Sequence, residues 1–225
     1  MIPNIFIVLP AYNEAHAVGE VVLGLRRLYR NVVVVDDGSS DDTADRARAA
    51  GATVVTHLMN RGQGAALQTG IEYSVRCGAD TIVTFDADGQ HRVEDVAALV
   101  EALDRDGADI AIGSRFLGAQ HEVPLLRRAL LRAAAVFMRV TSRVKLTDAH
   151  NGLRAIRRSA AEKIHISLDG MAHASEIIDQ ISLNGLRVVE VPVVIRYSDY
   201  SRRKGQSGLA AFRIVLDYLL KRWSR

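Results

Sequence analysis

The 225-residue chain carries 29 Lys and Arg against 26 Asp and Glu, with 48% hydrophobic and 24% charged residues. This is a soluble globular composition, and it excludes disordered and fibrous classes. The charge is unevenly placed: residues 1–112 hold 9 basic and 17 acidic side chains, a net of −8, whereas residues 113–225 hold 20 and 9, a net of +11.

Short β-branched runs alternate with helical periodicity from the start. Ile5–Leu9 reads as a strand; it stops at Pro10 and lacks a basic flank, so it is not a secretory leader. Val18, Val21, Val22, Leu25 and Leu28 follow at helical spacing, then the run Val32–Val35. The alternation continues through Thr53–Thr56, a helix over about Gln63–Cys77, Thr81–Phe85, a helix carrying Val96, Val100 and Leu103, and Ile110–Ile112. Such alternation predicts an α/β fold with a mostly parallel central sheet flanked by helices. Beyond residue 113 the spacing predicts a long basic amphipathic helix over Pro124–Lys145, a strand over Gly152–Ile156, and helices around Ala160–Ile164 and Ala174–Leu183. A strand over Val188–Tyr197 is expected at a sheet edge because of Pro192. A last amphipathic helix is expected over Leu209–Trp223.

One domain is expected, with residues 1–112 as a ligand-binding half and 113–225 as a basic half. Cys77 is the only cysteine, so no intramolecular disulfide can form, and a reducing, cytoplasmic setting is expected. No stretch reaches the roughly 18 apolar residues of a membrane span. Membrane contact is therefore expected to be peripheral: the helix 124–145 has six basic residues and no acidic one, and residues 201–225 set seven basic residues against Asp217, with Trp223 as an interfacial anchor. Solvated basic faces on ordinary sheet-packing helices are the plainer reading of both.

In open α/β sheets ligands lie beyond the carboxyl ends of the strands. Three carboxylate-bearing turns fall there: Pro10-Ala11-Tyr12-Asn13-Glu14, Asp36-Asp37-Gly38-Ser39-Ser40 and Asp86-Ala87-Asp88-Gly89-Gln90. Asp86 and Asp88, one residue apart, can face a common point and hold a hard cation, and Mg²⁺ held this way usually shares its ligands with substrate phosphates. Each string alone is also a common turn or helix cap; their joint placement favours the site. A calcium EF-hand fails, because its sixth and twelfth positions are His91 and Ala97 here. Tyr12 could pack or line a base pocket. Asn60-Arg61-Gly62-Gln63-Gly64 is neither a Walker nor a Rossmann loop, so a tight turn into a helix is as good a reading as phosphate binding. His16, His57 and His165 read as packing or surface residues; His91 stays open.

These turns, together with Asn60-x-Gly62-x-Gly64-x-Ala66, Gly113-Ser114-Arg115, Asp148–Ala155 and Arg202-Arg203-Lys204-Gly205-Gln206-Ser207, resemble the ordered motifs of inverting family-2 glycosyltransferases. The similarity spans nearly the whole chain and is greatest to the dolichol-phosphate mannosyltransferase and polyprenyl-phosphate glycosyltransferase branch. It implies a GT-A type fold, a UDP- or GDP-sugar donor and Mg²⁺ or Mn²⁺. By the same resemblance Pro10, Tyr12, Glu14 and Asp37 contact the nucleotide, and Asp86, Asp88 and Gln90 surround the metal. Arg115 faces the phosphates or acceptor, and Arg202 and Lys204 join it on the acceptor phosphate. Asn151 and Leu153 depart from the small and aromatic residues frequent at those positions. Members of the branch commonly carry C-terminal membrane helices; none is read here, which directs the expectation to peripheral docking or a separate membrane subunit.

The implied reaction is transfer of the sugar to a polyprenyl phosphate. An ionised phosphate monoester needs no general base, and Asp148 is the candidate base if the acceptor is a hydroxyl. A soluble glycosyltransferase acting on a glycan or protein hydroxyl keeps the donor site with another acceptor. A nucleotidyltransferase lacks its Gly-rich first turn here. A membrane or nucleic-acid adaptor leaves three aligned carboxylate turns unexplained, and with no stacking motif for single strands a nucleic-acid partner is not expected.

Overall fold

The computed structural model describes residues 3–117, 142 and 144–196. The expected helices Pro124–Lys145 and Leu209–Trp223, Arg202 and Lys204 lie wholly or mostly outside these residues.

The elements in chain order are β1 (Ile5–Ala11), α1 (Val18–Arg26), β2 (Asn31–Asp36), α2 (Thr43–Ala49), β3 (Thr53–Thr56), α3 (Gln63–Arg76), β4 (Thr81–Thr84), α4 (Asp95–Arg105), β5 (Ile110–Ser114), β6 (Arg154–Arg157), α5 (Arg158–Ala161), α6 (His173–Leu183) and β7 (Val188–Pro192). They build one seven-stranded sheet in the order β3-β2-β1-β4-β6-β5-β7. β1 pairs in parallel with β2 and with β4, and this is where the strand order reverses. β6 is antiparallel to both β4 and β5, so the sheet is mostly, not wholly, parallel. β7 is the edge strand that Pro192 requires; it pairs with β5 up to Ser114↔Pro192, and Ile195 adds an isolated bridge to His91.

Strand alternation divides the core between the two sheet faces. Phe6, Val8, Val33, Val35 and Ile82 pack under α3 and α6 with Ala66, Leu67, Ile177 and Ile181. Ile7, Leu9, Val32, Val34 and Val83 pack with Val18, Val22 and Leu25 of α1 and Val96, Leu99 and Leu103 of α4. Leu28 departs from the expected apolar stripe: it lies beyond the end of α1 and is 64% exposed.

α3 approaches the sheet closely because its inner face is small: Gly64, Ala65, Ala66 and Gly70 are buried. A Cβ on Gly70 would overlap Val8 Cγ1 and stand 3.1 Å from Val35 Cγ2. Gly70→Ala is therefore expected to destabilise the fold by about 1–3 kcal/mol through overpacking, read as a lower urea midpoint with unchanged slope.

Candidate active site

The first two turns are laced together at the carboxyl edge. Asn13, with φ 54°, donates its backbone N–H to Ser39 Oγ at 2.9 Å, and its Oδ1 accepts from Ser40 N at 2.9 Å. Glu14 N donates to Thr43 Oγ1 at 2.8 Å, and Ala15 N to Asp41 Oδ2 at 3.2 Å. Ser39, Asp41 and Thr43 thus hold the turn that carries Tyr12 and Glu14. Pro10 is buried at the end of β1, opposite Val35, whereas Tyr12 is 45% exposed on the rim.

Asp37 is enclosed by the loop between β3 and α3. Its Oδ1 accepts from Arg61 N at 3.0 Å and meets His57 Nδ1 at 2.7 Å; its Oδ2 accepts from Gly62 N at 2.6 Å. The other His57 nitrogen lies 2.9 Å from Thr69 Oγ1, so this histidine, read from sequence as packing or surface, is the strut beneath Asp37. Two glycines make the loop possible. A Cβ on Gly38 would fall 2.6 Å from the Met59 carbonyl carbon, and Gly62 has φ 108°. The Gly-rich segment is therefore a tight turn into α3 whose backbone donors serve a carboxylate of the protein itself. Asp36, beside it, keeps a buried Oδ1 without a hydrogen-bond partner.

The third turn holds Asp86, Asp88 and Gln90. Asp86 Oδ1 accepts from Gln63 Nε2 at 3.3 Å, and Oδ2 lies 2.9 Å from His91 Nε2. Gly152 is obligatory here, since a Cβ would overlap the Asp86 carboxylate. Asp88 accepts from Gln90 N at 3.0 Å and from the Gln90 side-chain amide. The two carboxylates titrate apart. Burial works to raise the Asp86 pKa, but the His91 hydrogen bond and the charges of His91 and Arg154 outweigh it and hold it low. Burial raises Asp88, and the charges of Asp86 and Glu14 raise it further. A bound hard dication would relieve the repulsion, and carboxylate and amide oxygens are the donors it prefers. Asp86, Asp88 and Gln90 are the side chains of this turn that would hold such an ion, and among the described residues no three His, Cys, Asp or Glu side chains cluster as metal ligands.

Across the rim, Arg115 and Asp148 form a bidentate ion pair, Nε to Oδ2 at 2.6 Å and Nη2 to Oδ1 at 2.7 Å, with Arg115 N also on Oδ2 at 3.1 Å. Burial pushes the Asp148 pKa up, but the Arg115 contacts outweigh it and leave it low. The pair is seated by Glu190 of β7, which accepts from Thr147 N at 2.9 Å and Asp148 N at 3.0 Å. Ser114 Oγ adds a 2.6 Å hydrogen bond to Thr147 Oγ1. Asn151 closes the loop from beneath: its Nδ2 donates to Asp148 Oδ2 at 3.4 Å and its Oδ1 accepts from Leu153 N at 2.9 Å. Asp148, the sequence-derived candidate base, is thus the anchor of Arg115.

The sequence profile of glycosyl transferase family 2 matches residues 6–165, more than half of the chain. The chain belongs to glycosyl transferase family 2. It is similar to a polyprenol monophosphomannose synthase of Mycolicibacterium smegmatis, with 36% identity over 203 residues that cover 83% of this chain and 75% of the relative. It is 29% identical to a UDP-N-acetylglucosamine–dolichyl-phosphate N-acetylglucosaminyltransferase of Methanococcus voltae, over 96% and 95% of the two chains. Among solved structures, a glucosyl-3-phosphoglycerate synthase from Mycobacterium tuberculosis, in complex with Mn²⁺ and UDP-glucose, superposes with a TM-score of 0.75 at 22% identity, over 98% of this chain and 79% of that one. The family-2 fold here is thus GT-A-like, and the chain is a nucleotide-sugar-dependent glycosyltransferase. Among the described residues no helix is long and apolar enough to cross a membrane.

Three residues at the base of this family-2 site receive no role from the motifs, although His150 and Arg154 lie within the Asp148–Ala155 segment. Arg154 in β6 is 1% exposed; it stands as a charge inside an otherwise apolar strand. His150 and His173 stand nearby and carry no spacing signal. Burial, reinforced by the Arg154 charge, lowers both imidazoles to about 4. An unfolded histidine titrates near 6.5, so between those values the unfolded chain holds protons that the native chain refuses. Stability is therefore complete above about pH 6.5 and declines as pH falls toward 4, by up to roughly 3 kcal/mol per imidazole. Urea unfolding between about pH 7.5 and 5 is expected to show the decline, and a His150→Gln, His173→Gln double variant a shallower one.

Proposed function

We propose that the chain transfers a sugar from a UDP- or GDP-linked donor to a polyprenyl monophosphate, using Mg²⁺ or Mn²⁺ at the Asp86–Asp88 turn. The observation that carries the acceptor is the Arg115–Asp148 pair. Both Asp148 oxygens hold Arg115, so the carboxylate placed to serve as a base is already engaged. A phosphate monoester is ionised near neutral pH and attacks without one. The names of the two relatives, which specify polyprenol and dolichyl phosphate, support the same acceptor. Peripheral docking on an anionic membrane face, or a separate membrane subunit, is the companion of this reading.

In this mechanism Pro10, Tyr12 and Glu14 receive the nucleotide at the β1 rim, while Asp37 fixes the Arg61–Gly62 loop against it. Asp86, Asp88 and Gln90 would hold the dication, which when bound screens the diphosphate from the carboxylates and stabilises charge on the leaving group. Arg115, oriented by Asp148, would position the acceptor phosphate for in-line attack on the anomeric carbon, preorganised before the charge moves. Arg202 and Lys204 are assigned to the same phosphate.

A second reading, transfer to a hydroxyl of a soluble acceptor, is favoured by the solved structures. The like-folded synthase solved with Mn²⁺ and UDP-glucose is named for a small soluble phosphoglycerate product. On this reading Asp148 releases Arg115 and serves as the base.

Radiolabelled UDP- and GDP-sugars incubated with Mn²⁺ and either polyprenyl phosphate or a soluble phosphoglycerate separate the two. Label extracted into organic solvent supports the lipid phosphate, and label confined to the aqueous phase supports the soluble acceptor. Asp88→Asn is expected to lower either activity by about 100-fold or more, and equal activity in that variant would sink the metal-site assignment.

A further inference from the structure

Arg154 is the most heavily buried charge in the described structure that the reaction outlined above does not use. It sits mid-strand in β6, between Thr84 of β4 and Ile112 of β5, and its Nε and Nη1 are buried without a hydrogen-bond partner. Among the described residues no carboxylate forms an ion pair with it. Burial lowers its pKa to about 10, offset by the charges of Asp86 and Asp148, so it stays protonated at neutral pH. His150 and His173 beside it are neutral there. Arg115 is taken by Asp148, so among the described residues Arg154 is the buried cation whose charge is felt by Asp86.

An unpaired buried guanidinium is unfavourable for the fold, so packing alone would be better served by a neutral side chain of similar length. Its field explains it better. A unit charge acts through a weakly screened interior without contact, and it acts differently on the forms in which a dication can arrive. A bare dication is repelled. A dication carried by the sugar-linked donor, whose diphosphate diester keeps two negative charges, is about neutral and escapes the repulsion, and one carried by the free nucleoside diphosphate has a net charge of about −1 at neutral pH and is attracted.

We infer that Arg154 is a positioning residue that sets the order of loading: its buried charge disfavours bare metal on Asp86 and Asp88 and favours metal that arrives with the nucleotide diphosphate. The inference deepens the donor-site assignment above and rests on it. It also gives β6 a role, since the strand wedged between β4 and β5 delivers this charge behind the carboxylate turn.

The test is Mn²⁺ binding, followed by the electron paramagnetic resonance signal of the free ion, with and without saturating UDP or GDP, for the native chain, Arg154→Met and Arg154→Lys. In the native chain the nucleotide is expected to tighten Mn²⁺ binding at least about tenfold. Arg154→Met is expected to bind bare Mn²⁺ roughly tenfold more tightly and to lose a similar factor of the nucleotide's advantage. Arg154→Lys, which keeps the charge but not the planar fork, is expected to retain the native ratio. A Met variant with weaker bare-metal binding, or with an unchanged ratio, overturns the proposal and returns Arg154 to a packing role. Should Arg154→Met fail to fold, the native chain decides, because bare Mn²⁺ bound as tightly as Mn²⁺ with diphosphate also overturns it. A native chain that binds neither nucleotide overturns the donor-site assignment itself, an outcome distinct from nucleotide binding with an unaltered ratio.

Discussion

The hydrogen bonds that Asp37 accepts from Arg61 and Gly62, with His57 as the strut beneath, are the constraint from which the rest of the site follows. They fix where α3 begins. Its first residue, Gln63, then reaches Asp86, and Gly64 comes so close to the Leu168 carbonyl and His173 Cβ that no side chain would fit. One buried carboxylate therefore ties the β2 end of the rim to the β4 end and to α6. A carboxylate that accepts two backbone N–H groups at a helix entry also complements the helix dipole, so the tie is electrostatically consistent as well as geometrically short.

The two sides of the rim use acidic residues in opposite ways. Around Asp86 and Asp88 negative charge is left in surplus, with Glu14 adding to it, which is unfavourable in isolation and useful to a site that receives a cation. Around Asp148 the charge is matched by a bidentate guanidinium and the loop is seated by Glu190. The first arrangement invites a ligand; the second fixes a cation in one orientation. Such asymmetry suits a transferase, where the leaving group's charge grows on one side while the nucleophile is held on the other.

Much of this was legible in the sequence, because a turn's position after a strand is a local property. The alternation of β-branched runs with helical spacing ends the first, second and fourth strands at Leu9, Val35 and Phe85, within two residues of the observed ends Ala11, Asp36 and Thr84, and so puts the three carboxylate turns at one edge of the sheet. What escaped depends on long-range placement. The antiparallel sense of β6 has no local signature, since a strand's direction is set by its neighbours. His57 has no motif around it; its role comes from a fold that brings it to Asp37 twenty residues away. Arg154 shows as an oddity in an apolar strand and acquires meaning only when β6 lies next to β4. Leu28 failed for the converse reason: a helical stripe in sequence does not reveal that the helix has already ended.

The placement of β6 also bears on how the chain reaches this state. β4 and β5 are close in sequence but never pair; each waits for a strand made after residue 150, through contacts such as Thr84 with Arg154 and Ile112 with Arg154. Until that strand is synthesised, both present open edges of apolar backbone, the kind of surface that recruits unwanted partners. Non-local pairings of this sort slow folding because the intervening chain must be ordered before they form. During synthesis the emerging first half is therefore a sheet with a missing centre until β6 appears.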